Sequence, residues 1–138
     1  MSCCAMPLPR ETAGQARRHG TRNSRPLDVA VGWRYGVLEL RPVCEHCGKA
    51  LPPNSTEARI CSYECTFCAA CVDDVLHDVC PNCGGGFVPR PIRPARNWRG
   101  DNWLGKDPAS TVVRRRPVDP EAHAEFVAAI GNIPPHER

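Results

Sequence analysis

Apolar residues recur with a regular period in only a few places along this chain, and each such place predicts a short element. Val37-Leu38-Glu39-Leu40 alternates, which predicts a short strand leading toward Cys44. Val72, Val75, Leu76 and Val79 recur at helical spacing, with Asp73, Asp74 and Asp78 on the other side, predicting an amphipathic helix of about two turns. Ala122, Phe126, Ala129 and Ile130 lie along one stripe of a second helix, spanning residues 120–130. Asp119 is a good N-cap for it, Pro120 suits the first helical position, Glu121 favours the positive end of the dipole and Gly131 supplies a stop. Val112-Val113 reads as a short edge strand.

The rest of the chain lacks such a period. Residues 1–32 are rich in Pro, Arg and Gly, and a disordered N-terminal extension is expected over 1–36. The run VPRPIRPAR after Phe87 holds too much proline for a regular element and predicts an extended surface path. Three segments follow: 1–36, a cysteine-dense module at 37–90, and a Pro/Arg-rich extension at 91–138 that carries the C-terminal helix. With 15 Pro, 11 Gly and 6% aromatic residues in 138, one conventional core across the chain is not expected. No stretch approaches the ~18 apolar residues of a membrane span, and residues 1–36 contain no apolar signal core. The expected location is the cytoplasm, with no membrane partner.

Eight of the ten cysteines occupy residues 44–83 in the order C-x2-C-x13-C-x3-C-x2-C-x2-C-x8-C-x2-C. Cys44, Cys47, Cys61, Cys65, Cys68, Cys71, Cys80 and Cys83 supply the corners of two four-cysteine sites, and two zinc ions are the expected cofactors. With every corner filled, neither ion keeps an open position for water, so the metals read as structural. A disulfide framework belongs to secreted chains, and iron–sulfur ligation is the other use of four thiolates. CEHCGK at Cys44–Lys49 and CPNCGGG at Cys80–Gly86 have the chemistry of zinc knuckles, with Gly permitting the tight turn after the second ligand. Such a short module buries little apolar surface, and two structural ions, each supplying roughly 10–16 kcal/mol of apparent binding energy, would be its energetic core. Cys3 and Cys4 have no matching pair and read as spare thiols.

The formal charge of +3 is unevenly spread. Residues 1–36 hold six Arg and two acids, residues 37–90 four bases and seven acids, and residues 91–138 eight bases and six acids. The module is acidic before its thiolates are counted, which argues against a phosphate backbone as its partner. Trp98 and Trp103 stand among Arg96, Arg99 and Lys106, and could stack on bases, but Asp101 and Asp107 lie close by and Arg114-Arg115-Arg116 is a short run. His46 and His77 are alternative metal ligands. No Ser/His/Asp set, HExxH or phosphate-cradling loop occurs, and no βαβ unit surrounds the CxxC pairs. No catalytic residues are expected.

From Val37 onward the chain resembles the bacterial Domain of Unknown Function 1272 family. The stretches that carry the likeness are VLELRPVCEHCGKALPPNSTEARICSYECTFCAACVDDVLHDVCPNCGGGFVPRPIRPA and, more loosely, DPASTVVRRRPVD. Members typically begin near LELRP, which implies that residues 1–36 precede the true start, with Val37 encodable by GTG. The order of pairs is also similar to that of RING domains, in ECTFCAACVDDVL and the closing CPNC. That resemblance implies a cross-brace in which Cys44, Cys47, Cys68 and Cys71 share one metal and Cys61, Cys65, Cys80 and Cys83 the other. Sequential pairing and a ribbon joining the two knuckles stay open. RING-type ubiquitin ligases carry an apolar residue inside the first pair and often a basic one after the last cysteine, where this chain has Glu45, His46 and Gly84.

The expected fold is a small zinc-stabilised α+β module, RING-like or treble-clef-like, with short β-hairpins, one short helix, and a C-terminal helix on an extended tail. Its expected role is protein interaction through an unidentified protein partner. The alternatives are a zinc-thiolate redox or metal-stress sensor, a nucleic-acid-associated factor working through the tail, and RING-type ligase activity.

Overall fold

Ala58 and Ile60 are buried on either side of a half-buried Arg59, the alternation that a half-covered strand requires. This strand, β1 (Ala58–Ile60), pairs antiparallel with β2 (Thr66–Cys68), with Ala58 opposite Cys68 and Ile60 opposite Thr66. The loop between them, residues 61–65, carries a cysteine at each end, and Glu64 turns it with φ of 62°. All three residues of β2 are buried, and Phe67 meets Phe87 edge-on, with ring centroids 5.4 Å apart. The computed structural model describes residues 36–138. The extension expected over residues 1–36 (Gly36 apart) and the thiols of Cys3 and Cys4 lie outside the described residues.

From Cys68 the chain enters α1 (Ala69–Cys71), which runs directly into a π-helical turn, Val72–Leu76. Val72 and Leu76 are buried and Asp73 and Asp74 exposed, the amphipathic split expected of this segment. The wide turn closes at His77 and Asp78, both left-handed with φ of 47° and 58°. Asp tolerates that region better than most residues. The Asp78 side chain then accepts the Phe87 N–H at 2.8 Å, tying the turn to the approach of β3 (Val88–Pro89). β3 pairs antiparallel with β1, giving a three-stranded sheet in the order β2-β1-β3.

Arg90, directly after β3, is almost fully buried. Its guanidinium donates to the carbonyls of Arg41 (2.7 Å), Leu51 (3.0 Å) and Pro52 (2.8 Å), with no carboxylate among these partners. Burial pushes its pKa below the usual arginine value. The side chain thus staples residues 41–52 to the sheet.

The strand expected at Val37–Leu40 does not form. Leu40 is buried as alternation predicts, but the backbone has no strand partner: the Leu38 carbonyl accepts from Arg93 at 2.6 Å and the Leu40 carbonyl from the Ser110 N–H at 3.0 Å. Val112 and Val113 are likewise exposed and unpaired rather than an edge strand.

Residues 91–138 run against the module. The Arg116 N–H donates to the Glu45 carbonyl (2.7 Å), and Arg138 donates to the carbonyls of Asp78 (3.2 Å) and Gly84 (3.1 Å). α2 (Pro120–Ile130) starts at Asp119, whose side chain accepts the N–H groups of Glu121 (3.0 Å) and Ala122 (3.4 Å). Of the expected stripe, Phe126 and Ile130 face the module while Ala122 and Ala129 are exposed; the buried residue, His123, lies outside that stripe, with Nε2 3.1 Å from the Leu76 carbonyl. Phe126 and Ile130 reach Gly84. Gly131 ends the helix right-handed, φ −60°, and is needed for room: a Cβ there would lie 2.6 Å from the Val127 carbonyl oxygen.

Candidate metal centre

Two turns with the same backbone hydrogen bonds present the first and last cysteine pairs. In the first, Cys44 N–H donates to the Lys49 carbonyl (2.8 Å) and Gly48 N–H to the Cys44 carbonyl (2.9 Å). In the second, Cys80 N–H donates to the Gly85 carbonyl and Gly84 N–H to the Cys80 carbonyl, both at 2.8 Å. Gly48 and Gly84 take φ of 78° and 75°, which glycine adopts without steric cost. The two turns therefore place their cysteines at equivalent backbone positions.

Cys47 and Cys44 meet Cys68, at the end of β2, and Cys71, at the end of α1. The four sulfurs lie within 4.8 Å of one another. The Cys47 and Cys68 sulfurs are 3.8 Å apart. Sulfurs bound tetrahedrally at a metal–sulfur distance of about 2.3 Å would be separated by about 3.8 Å, so this pair has the spacing of two ligands on one metal ion. The second group joins Cys61 and Cys65, from the β1–β2 loop, to Cys80 of the second turn, again within 4.8 Å. The Tyr63 N–H donates to the Cys61 sulfur at 3.3 Å, the kind of amide contact that neutralises thiolate charge. Cys83 is exposed and its sulfur lies outside this group of three. The first and third pairs thus form one group, and the second pair and Cys80 of the fourth form the other; all eight thiols are unbridged.

Burial pushes the thiols of Cys65, Cys68, Cys71 and Cys80 above their ordinary range, since a thiolate loses its hydration there. Cys47 moves down. Burial raises it as well, but the Lys49 backbone N–H and the thiols of Cys44, Cys71 and Cys68 outweigh that effect. Lys49 is held above its usual value by its ion pair with Glu57 and by the fields of Cys68 and Cys47. Thiols that burial keeps protonated need a cation to ionise, which is what a bound metal supplies.

Glu45 was missed as a site residue by sequence reasoning, because a charged residue between two ligands reads as solvent-facing. It is buried. Its carboxylate pairs with Arg41, accepts the Thr66 N–H at 2.9 Å and accepts from Asn82 at 3.4 Å. One side chain therefore links the first turn, β2 and the second turn, and so both cysteine groups. The visible signal was Arg41 four residues earlier. His46 accepts the Val118 N–H on Nδ1 at 3.0 Å, and neither His46 nor His77 belongs to a cysteine group.

In the tail, Trp98 stands 78% exposed, whereas the Trp103 indole N–H donates to Asp101 at 3.2 Å. Lys106 pairs with the same Asp101, Arg114 contacts Glu39, and Arg93 serves the Leu38 and Asp107 carbonyls. Among the described residues, no helix is long and apolar enough to cross a membrane.

The profile of the family described as "Protein of unknown function (DUF1272)" matches residues 37–93, from the run before the first turn to just beyond Arg90. A protein of Rhizobium meliloti (strain 1021), described as uncharacterized, is 51% identical over 81 residues, covering 59% of this chain and 89% of that protein. No solved structure matches significantly. A relative this similar, matched over nearly all its length, places the chain in a family: it belongs to the DUF1272 proteins.

Proposed function

We propose that this chain is a two-zinc protein-interaction module of RING-like cross-brace form, without catalytic activity of its own, working in the cytoplasm. The observation that carries the metal reading is the interleaved convergence of Cys44, Cys47, Cys68 and Cys71 on one point and of Cys61, Cys65 and Cys80 on another. Thiols gathered to this degree repel one another once ionised, so a cation must hold them. Cys83, at the place in its turn that Cys47 holds in the first, is the fourth ligand of the second site. Zinc suits all-sulfur tetrahedral sites, and closed sites of this kind supply folding energy rather than chemistry.

Protein contact is favoured by the exposed apolar side chains outside the sites: Tyr63 at 74%, together with Trp98, Val112 and Val113. The nucleic-acid reading is weakened because Arg93 and Arg114 are engaged by carbonyls and by Glu39. Ligase activity is not proposed, since the residue inside the first pair, Glu45, is turned inward and committed to Arg41, Thr66 and Asn82. A metal-stress or redox role has one observation in its favour: Cys47 and Cys83 are exposed.

The test is elemental analysis of the full chain purified under reducing conditions, with a chelator titration followed by circular dichroism. Two zinc ions per chain and loss of structure on chelation are expected. Iron, a single ion, or a fold indifferent to chelation would overturn the reading.

A further inference from the structure

The two cysteine groups differ in how their exposed members are placed. The turns at Cys44 and Cys80 share their backbone hydrogen bonds, so Cys47 and Cys83 hold equivalent backbone positions. Cys47 nevertheless points into its group, 3.8 Å from Cys68, while the Cys83 sulfur lies outside its own. An open cavity of about 470 Å³ is lined by Tyr63, Cys65, Asn82 and Cys83, so solvent that reaches Cys83 also reaches the edge of the buried group at Cys65.

Resting on the two-metal reading above, we propose that the Cys61/Cys65/Cys80/Cys83 site is an exchange site, in which Cys83 is a releasable fourth ligand that a small external thiolate replaces through the cavity beside Tyr63. The bond from Cys83 to the ion breaks as the bond from the incoming thiolate forms. Cys83 then takes a proton from water, and no electrons are transferred. Three buried thiolates keep the ion until a second incoming ligand removes it, while Cys44, Cys47, Cys68 and Cys71 retain theirs.

The test uses the full chain loaded with two equivalents of zinc and mixed with the chromophoric chelator 4-(2-pyridylazo)resorcinol, with and without glutathione as the probe thiol. Two release phases of equal amplitude are expected, the faster one rising with glutathione concentration. Cys83→Ser should keep two ions at loading, speed the fast phase about tenfold and remove its glutathione dependence, a loss of hold on the scale seen when metal-site contacts are deleted. Limited alkylation of the loaded wild-type chain, mapped by peptide mass, should modify Cys83 before Cys47, and needs no variant to fold. Release of both ions in one phase, or alkylation of Cys47 first, would overturn the proposal. A chain that loads fewer than two ions would instead overturn the two-metal reading, before any release is measured.

Discussion

Glu45, between the two cysteines of the first turn, accepts a hydrogen bond from Asn82, between the two cysteines of the second, at 3.4 Å. The residues are 37 apart in sequence, and their contact brings the two turns into register. The carboxylate is buried, with Arg41 and the Thr66 N–H both on Oε1, the oxygen that Asn82 does not use. One carboxylate side chain thus forms a polar link between the two cysteine groups.

Replacing that side chain should separate its two roles. Glu45→Gln keeps an acceptor for Thr66 but leaves Arg41 with only Glu39, at an expected cost of about 1–3 kcal/mol. Glu45→Ala also strands the Thr66 N–H, and is expected to reach about 3–5 kcal/mol. Urea denaturation of the metal-loaded protein should rank wild type above Gln above Ala. Equal stability of Gln and wild type would show that the charge contributes nothing.

Arg90 makes a different prediction, because its partners are all carbonyls. Lysine keeps the charge but cannot span three acceptors with a planar fork, so Arg90→Lys should cost about 1–3 kcal/mol. Arg90→Ala leaves three carbonyls without this donor and a cavity in their midst, and should cost about 3–5 kcal/mol. Thermal unfolding of the metal-loaded variants reads both. A lysine variant as stable as wild type would show that the fork geometry does not matter.

How much of this was legible from sequence depends on what kind of constraint each residue obeys. The helix after Cys68 could be read because Val72, Leu76 and Val79 and the opposing aspartates obey a local period that burial then satisfies. The gathering of seven of the eight thiols follows in part from CxxC spacing, which is itself a local geometric demand. Val37–Leu40 misled for the opposite reason: Leu40 alternates into the core, yet its carbonyl is answered by Ser110, seventy residues away. The buried residue of α2 was equally hidden, since His123 meets the Leu76 carbonyl, which also accepts the Val79 N–H where the π-helical turn ends. Glu45 and Arg90 belong with these. A charged side chain gives no sequence sign that partners from distant segments will enclose it, and theirs do.

The two turn glycines should respond unequally to the same substitution. Gly48 and Gly84 share the left-handed conformation, so alanine costs roughly 1–2 kcal/mol at either from backbone strain. At Gly48 the added methyl meets the Arg115 side chain, whose flexible end can move aside. At Gly84 it meets Ile130 Cδ1 at 3.1 Å and Phe126 Cζ at 3.5 Å, both on α2. Gly84→Ala is therefore expected to push α2 off the module and raise its amide hydrogen exchange, while Gly48→Ala leaves that exchange unchanged. Asparagine, which tolerates positive φ, should be milder than alanine at Gly48. Matching exchange in the two alanine variants would refute the packing argument.

α2 is held by few contacts, and its N-cap should therefore decide whether it forms. Asp119 accepts two backbone N–H groups, and His123 is the helix's one buried side chain. A lost cap costs about 1 kcal/mol, a large fraction of what an eleven-residue helix with so little burial can hold. Asp119→Ala should accordingly fray residues 120–130, seen as faster amide exchange there. The metal content and the unfolding midpoint of the cysteine module should barely change, because the ligands all lie before residue 84. If the variant instead lost metal, α2 would be part of what keeps the second site together, and the weak-latch account would fail.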